Sequence, residues 1–171
     1  MEQKNFDIEK LSTPALNSLC QAIVASYHHW TQRELIPGLN DNVYAMDARI
    51  VTEQLFQHNA VVLAHNTEAD PTFVFANQMG MNLWEYSWAE IIGLPSRLTA
   101  EPDLRPNREQ LLTRVRDFGF IADYSGIRVS KSGRRFRIEQ ATVWNVLHPS
   151  GQRIGQAATF THWTNLDEIH Q

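Results

Sequence analysis

Aromatic side chains are the residues of this chain with the greatest capacity to bind a ligand. Ligand pockets are mostly apolar and carry a few polar groups that orient the ligand. Six aromatic residues between positions 84 and 144 are candidates for lining such a pocket: Trp84, Trp88, Phe118, Tyr124, Phe136 and Trp144. The alternative is that these rings simply fill a hydrophobic core, where large aromatic side chains are also common.

Carboxylates offer a second chemistry. Asp123 and Glu139 are the first candidates for the single buried carboxylate that an isomerase built on a small α+β cone would use. The chain has no GxGxxG, GxxxxGKS/T or GxSxG motif, so it lacks the minimum signatures of dinucleotide-binding, P-loop and α/β-hydrolase enzymes. Catalysis is therefore the alternative hypothesis and not the expected function.

Metal chemistry has little support in the sequence. His28 and His29 are adjacent, so on a helix their side chains point about 100° apart and do not easily share a metal. The other histidines are isolated along the chain. The single cysteine, Cys20, excludes an internal disulfide and a cysteine-rich zinc site. We expect no metal site.

A cluster of basic residues lies on two predicted strands and the turn between them. Its members are Arg128, Lys131, Arg134, Arg135 and Arg137. Charged side chains at sheet edges discourage pairing with other chains, which explains the cluster without any ligand. The alternative is contact with an anionic ligand or an acidic partner.

The overall composition limits the kind of partner. The 171 residues carry a formal net charge of -4, which argues against a protein whose main task is to bind nucleic acid. No apolar run approaches the ~18 to 20 residues that span a bilayer, and the N-terminus lacks the apolar segment of a secretory signal. We expect a cytoplasmic protein without a nucleic-acid or membrane partner.

The N-terminal part is predicted to form two helices. Thr13 followed by proline is a typical helix start, and the apolar spacing predicts a helix over residues 14–36. A second helix is predicted over residues 47–57. The apolar stripe of the first helix must be buried, either across a sheet or in a homodimer. We therefore expect an N-terminal helical extension, residues 1–58, before a second domain, residues 59–171.

The second domain is predicted to be α+β, with five antiparallel strands and short helices between strands two and three. The five predicted strands are residues 60–64, 72–76, 124–130, 134–147 and 153–163. On the long fourth strand, alternation predicts that Phe136, Trp144 and Val146 share one face.

Three helices are predicted between the second and third strands. Asn77 is expected to cap the first, which runs to Trp84, and Ser87 to start the second. The third covers residues 107–118, and its spacing predicts an apolar face that includes Phe118, with Arg108 pointing outward.

The segment FVFANQMGMNLWEYSWAEIIGLP, residues 73–95, resembles the signature of PAS domains. Its strand, asparagine, short helix, Tyr86-Ser87 pair and closing Glu-Ile-Ile-Gly fall in the order of that signature. More narrowly, residues 57–164 resemble the MEKHLA domain, a PAS-related module of plant class III homeodomain leucine-zipper proteins. The resemblance implies a sensory or regulatory module and implies no chemistry.

The same resemblance limits the cofactors that the chain is expected to bind. Flavin-binding light sensors of the PAS group have a reactive cysteine near the helix after the central loop, whereas Cys20 lies far upstream. Haem-binding members use a histidine on the long helix before the last strands, and residues 107–118 contain none. We expect a non-covalent small-molecule ligand of unknown identity or a protein partner, with a homodimer through the first helix as one form of the latter.

Overall fold

The computed structural model describes residues 11–166, apart from the side chain of Asp103. The outer ends of both predicted domains, residues 1–10 and 167–171, therefore lie outside the described residues. The α-helices are α1 (Pro14–Thr31), α2 (Ala48–Gln57), α3 (Gln78–Trp84), α4 (Trp88–Ile91) and α5 (Arg105–Phe118). The strands are β1 (Val61–His65), β2 (Phe73–Ala76), β3 (Phe120–Val129), β4 (Arg135–Leu147), β5 (Arg153–Phe160) and β6 (His162–Asn165).

All strand pairs in the sheet are antiparallel, in the order β2, β1, β5, β4, β3. The predicted α+β class is confirmed, as is the insertion of the short helices between strands two and three. The predicted last strand is divided at Thr161 into β5 and β6, which both pair with β4. The sheet therefore has six strands, not five, and the last two follow one another along β4.

The start of α1 is confirmed and its predicted end is wrong. Thr13 caps the helix by accepting from the Leu16 amide at 3.2 Å. The helix ends at Thr31 because Gln32 adopts a left-handed conformation, with φ 59°, and its amide donates to the His28 carbonyl. The Thr31 hydroxyl also donates to the Tyr27 carbonyl at 2.7 Å. The Gln32 amide thus satisfies one of the carbonyls that have no partner within the helix at its C-terminal end.

Helix α1 lies across one face of the sheet. Ile23 is fully buried, and its carbonyl accepts from the Trp144 indole at 3.3 Å. The Trp30 indole donates to the Asn145 carbonyl at 2.9 Å, and the Leu147 amide donates to the Ser26 hydroxyl at 2.8 Å. The buried stripe of α1 is thus already occupied by β4 of the same chain.

A bulge in β4 changes which side chains face α1. Gln140 has φ 53°, and the pairing with β3 shifts register around Tyr124. An extra residue reverses the inward and outward alternation of a strand. Trp144 and Val146 therefore pack with α1, whereas Phe136 and Ile138 pack on the opposite face of the sheet. The prediction that Phe136, Trp144 and Val146 share one face is wrong.

The two short helices begin as predicted. Asn77 is fully buried, and its side-chain oxygen accepts from the amides of Gly80 and Val62, both at 3.0 Å. Its side-chain nitrogen donates to the Ala60 carbonyl at 2.7 Å. Ser87 and Glu90 form a reciprocal capping box at the start of α4. Asn77 therefore both caps α3 and joins it to β1.

Helix α5 covers the face of the sheet opposite α1. Leu111 and Val115 pack against Val143 of β4. Phe118, predicted to point inward, is 76% exposed, since it lies at the last position of the helix. Arg108, predicted to point outward, is 6% exposed. Both predictions are wrong, and the second has consequences for the candidate site.

Candidate functional site

A cavity of about 70 Å³ lies between α5 and the sheet. Most of its lining is apolar, including Leu63, Phe73, Leu111, Ile138, Val143 and Phe160. Pockets for drug-sized ligands have volumes of roughly 300–1,000 Å³. The cavity as it stands therefore admits only a small molecule or a few waters.

Arg108 places a positive charge at this cavity. Its guanidinium donates from Nη2 to the Ser96 hydroxyl, and both side chains are buried. Among the described residues, no carboxylate oxygen lies within 4 Å of the Arg108 guanidinium. Burial, with repulsion from Arg128, lowers the pKa of Arg108 to about 10. The side chain is therefore still charged at neutral pH, and a buried charge without a counterion is costly.

His65 adds a hydrogen-bond acceptor. It follows Leu63 on the same face of β1 and is 8% exposed. Its Nδ1 lies 2.9 Å from the Asn66 carbonyl oxygen, which assigns the proton to Nδ1 and leaves Nε2 as an acceptor. Burial lowers the pKa of His65 to about 4, so the ring is neutral at physiological pH. Nε2 is buried and has no partner in the described structure.

Two further buried polar atoms at the cavity lack a partner within the described residues. One is the indole donor Nε1 of Trp84, and the other is the amide oxygen Oε1 of Gln156. The Gln156 nitrogen donates to the Leu112 carbonyl at 2.9 Å and to the Asn145 side-chain oxygen at 3.2 Å, which fixes the amide orientation. Most buried polar side-chain atoms have partners. Three unpartnered atoms on residues that line one cavity make this cavity the candidate site for a polar ligand or water.

A second cleft, of about 460 Å³, adjoins the cavity. It lies between α5 and the β1–β2 connection, residues 66–72, and it shares His65, Arg108, Leu112 and Gln156 with the cavity. At its rim Arg97 pairs with Asp70 at 3.2 Å. Arg108 therefore lines both the cavity and the cleft.

The six aromatic candidates are divided by the structure. Trp84 and Tyr124 line the cavity, and Phe136 packs edge-on against Trp84 with ring centres 5.0 Å apart. Trp88 contacts Phe56 and Phe75, with ring centres 6.4 and 6.1 Å away. Phe136 and Trp88 are therefore not among the residues that line the cavity.

The remaining two candidates lie away from it. Phe118 is exposed at the end of α5, and Trp144 faces α1 because of the Gln140 bulge. The structure therefore does not bring the six rings together around one cavity.

His65, Arg108 and Gln156 were missed by sequence reasoning. For Arg108 a signal existed, because Arg108, Leu111, Leu112 and Val115 have the i, i+3, i+4, i+7 spacing of one helix face. The other charged residues Glu109, Arg114 and Arg116 of α5 are exposed, and they mask that pattern in the sequence. No signal in the sequence shows that His65 Nε2 and Gln156 Oε1 are buried without hydrogen-bonding partners.

The carboxylate candidates lie outside the cavity. Asp123 is exposed and adopts φ 58° at the β3 irregularity, while Glu139 accepts from the Thr164 hydroxyl at 2.9 Å. No Asp or Glu of the described residues lines the cavity. The described part of the chain also holds no group of three or more His, Cys, Asp or Glu side chains suited to a metal ion.

Most of the basic cluster is engaged within the chain. Lys131 contacts Glu90 and Arg135 contacts Glu101 as ion pairs. Arg134 donates to the Leu83 carbonyl at 2.8 Å. Arg128 donates to the Tyr124 hydroxyl at 3.1 Å. The Lys131 and Arg134 contacts fasten the β3–β4 turn to α4 and α3. The two ion pairs leave Lys131 and Arg135 with less charge for an external anion.

Cys20 lies on α1, in the apolar cluster on the far side of the sheet from the cavity. Burial raises the pKa of its thiol to about 12. Across residues 11–166, no helix combines the length and apolar character needed to cross a membrane.

The sequence model of the MEKHLA domain matches residues 17–165. The chain belongs to the MEKHLA domain family. This match begins within α1 and runs across residue 58, so the division of the chain at that residue stays a prediction.

Curated relatives of this MEKHLA domain are plant homeobox-leucine zipper proteins. HOX32 of Oryza sativa subsp. indica is 26% identical over 152 residues, covering 89% of this chain and 17% of the relative. REVOLUTA of Arabidopsis thaliana is 27% identical over 160 residues, covering 89% of this chain and 18% of the relative. The chain thus spans less than one fifth of the length of these relatives.

Solved structures show the same fold. The PAS domain of a protein from Colwellia psychrerythraea superposes with a TM-score of 0.59 at 13% identity, covering 70% of this chain and 97% of that one. A light-oxygen-voltage domain studied with a flavin analogue gives a TM-score of 0.54 at 16% identity, covering 71% and 87%. At such identities the likeness concerns the fold, and it agrees with a PAS-like domain.

Proposed function

We propose that this MEKHLA domain is a sensory or regulatory module that binds a small, non-covalent ligand in the cavity beneath α5 and performs no catalysis. The observation that carries the proposal is an apolar cavity with three lining residues that each hold a buried polar atom without a partner in the described structure: His65 Nε2, Trp84 Nε1 and Gln156 Oε1. A ligand that hydrogen-bonds to these atoms would recover the free energy that their burial costs.

Ligand binding is better supported than the two alternatives. A homodimer through the apolar stripe of α1 would require that stripe to leave β4, against which it is already packed. An isomerase would need a buried carboxylate, and none of the described Asp or Glu residues lines the cavity. The homeobox-leucine zipper relatives, which carry the domain as a minor part of a longer chain, are consistent with a regulatory module.

Native mass spectrometry of freshly purified protein tests the proposal. We expect a bound species of small mass that is released on denaturation. Ala141 is 1% exposed and lines the cavity, so Ala141→Leu should fill the space and remove the bound species. Ala89→Leu, at an exposed position on α4, is the matched control and should retain it.

A titration with neutral small molecules covers the case in which the ligand is lost during purification. Isobutyramide should shift the amide resonances of cavity residues in the unmodified protein and in Ala89→Leu, but not in Ala141→Leu. The proposal is wrong if no bound species is found and neither neutral nor acidic probes of this size perturb the cavity.

A further inference from the structure

The Arg108 guanidinium is the feature of the cavity that the binding of an unspecified ligand does not explain. It is 6% exposed, it donates to a neutral hydroxyl on Ser96, and no carboxylate of the described residues lies within 4 Å. A buried charge of this kind is stabilised when an opposite charge joins it. Guanidinium binds carboxylates with two parallel hydrogen bonds, which are among the stronger ones in proteins.

The surroundings of Arg108 carry charges of both signs, because Arg128 repels its guanidinium whereas Tyr124, Glu109 and Asp70 attract it. Arg128 also lines the cavity and is close enough to lower the pKa of Arg108 by repulsion. Arg153 lines the adjoining cleft, and no described carboxylate lies within 4 Å of it. Asp70, which faces the same cleft, is held in an ion pair by Arg97 at 3.2 Å. The cleft is lined by four arginines, Arg97, Arg108, Arg116 and Arg153, and by three carboxylates, Glu68, Asp70 and Glu109. Its formal charge therefore favours an anion by one unit.

The rest of the lining limits the anion to a single charge on an apolar body. His65 Nε2 and Gln156 Oε1 are hydrogen-bond acceptors, so they disfavour a second negative group and suit a hydroxyl or N–H of the ligand. Leu111, Ile138 and Val143 provide apolar contact. A phosphate carries more charge and has no apolar part, so it would form no apolar contact with Leu111, Ile138 and Val143.

We infer that the ligand of this cavity is a small monocarboxylic acid, whose carboxylate binds the Arg108 guanidinium beside Ser96 and whose apolar part lies against α5 and β4. The inference rests on the proposed ligand-binding function and adds the chemical class of the ligand. Arg108 then acts as a binding residue, and the adjoining cleft as the route of entry.

Matched acid and amide probes test the inference on the full chain without any substitution. Isobutyrate and isobutyramide have nearly the same size and shape, and benzoate and benzamide form a larger pair. Within each pair the acid carries the charge and the amide carries N–H donors that could bind His65 Nε2 or Gln156 Oε1, so a preference for the acid reports on the charge. Amide chemical shifts are followed at constant ionic strength and neutral pH. We expect each acid to bind at least about tenfold more tightly than its amide, as a charge-assisted hydrogen bond predicts.

Variants of α5 localise the effect. Arg108→Met keeps an unbranched side chain and removes the guanidinium and its charge, so it should abolish the preference for the acid. Arg114→Met is the matched control, because Arg114 is exposed on the same helix and lies outside both the cavity and the adjoining cleft. It should leave the preference unchanged.

The outcomes separate this inference from the proposed function. If amides bind as tightly as acids, or inorganic phosphate binds as tightly as isobutyrate, the inference is overturned and ligand binding stands. If neither acids nor amides perturb the cavity, both are overturned. If Arg108→Met does not fold, the comparison of acids with amides in the unmodified protein still decides the matter.

Discussion

The indole nitrogen of Trp144 donates to the carbonyl of Ile23 at 3.3 Å, and this contact joins the middle of the sheet to the middle of α1. Trp144 is fully buried, as is Ile23. The Trp144 ring also meets Tyr27 edge-on, with ring centres 5.0 Å apart. The N-terminal helix is therefore held by a specific contact as well as by its apolar stripe.

Replacing Trp144 with Phe should lower the free energy of unfolding by about 1–3 kcal/mol, because it removes this hydrogen bond and part of a buried ring. Urea denaturation measures the change. Trp84→Phe is the matched variant, since the Trp84 indole nitrogen is buried without a partner among the described residues. It should cost less stability but alter binding at the cavity, whereas Trp144→Phe should leave binding intact. Equal effects of the two variants on binding would contradict the assignment of their faces.

Asn77 should be far more sensitive than an ordinary helix cap. Its side chain satisfies backbone groups on α3, on β1 and before β1, and Ala would leave these groups buried without partners. We expect Asn77→Ala to lower the free energy of unfolding by more than about 3 kcal/mol, or to prevent folding.

Asp47→Ala is the control for Asn77. Asp47 caps α2 by accepting from the Arg49 amide at 3.0 Å, and it is exposed. Its loss should cost about 1 kcal/mol. Thermal and urea denaturation measure the stability of the two variants. If Asn77→Ala lowers the free energy of unfolding no more than Asp47→Ala does, Asn77 does not connect α3 to β1 in the way the structure indicates.

His65 should make the protein less stable in mild acid. Because burial lowers its pKa from 6.5 to about 4, the unfolded chain takes up a proton at a pH where the folded chain does not. The stability that the neutral His65 ring contributes is fully present above pH 6.5 and is lost as the pH falls toward 4. The free energy of unfolding should fall by up to about 3 kcal/mol over this range. His65→Gln should flatten this part of the pH dependence of the free energy of unfolding. His148→Gln, at an exposed turn, should not, and identical slopes for His65→Gln and the unmodified protein would overturn the prediction.

Cys20 should be unreactive in the folded protein. Burial raises the pKa of its thiol to about 12, so almost no thiolate exists at pH 8, and the side chain has no access to reagent. Modification by a thiol-specific chromogenic reagent should proceed at the rate of unfolding and increase with urea. A control variant that combines Cys20→Ala with Ser150→Cys should react at once, because residue 150 lies at an exposed turn. Fast modification of Cys20 in the native protein would contradict its placement beneath α1.

Local signals in the sequence determined most of the architecture. Thr13, Asn77 and Ser87 act as helix caps where their spacing predicted them, because a cap depends on residues one turn away. The hairpin of β1 and β2 and the strands β3, β4 and β5 followed from alternation and turn residues in the same way, whereas the break at Thr161 that separates β6 did not. Hence the PAS-like order of elements could be predicted without coordinates.

The tertiary structure alone decided what faces the cavity. The bulge at Gln140 depends on how β4 pairs with β3, and it sends Trp144 to α1 and away from Phe136. Arg108 is buried because α5 packs on a sheet whose strands lie far from it in sequence. Burial and unpartnered polar atoms are properties of long-range packing, and packing determines whether a charged side chain on a helix meets solvent or a ligand site.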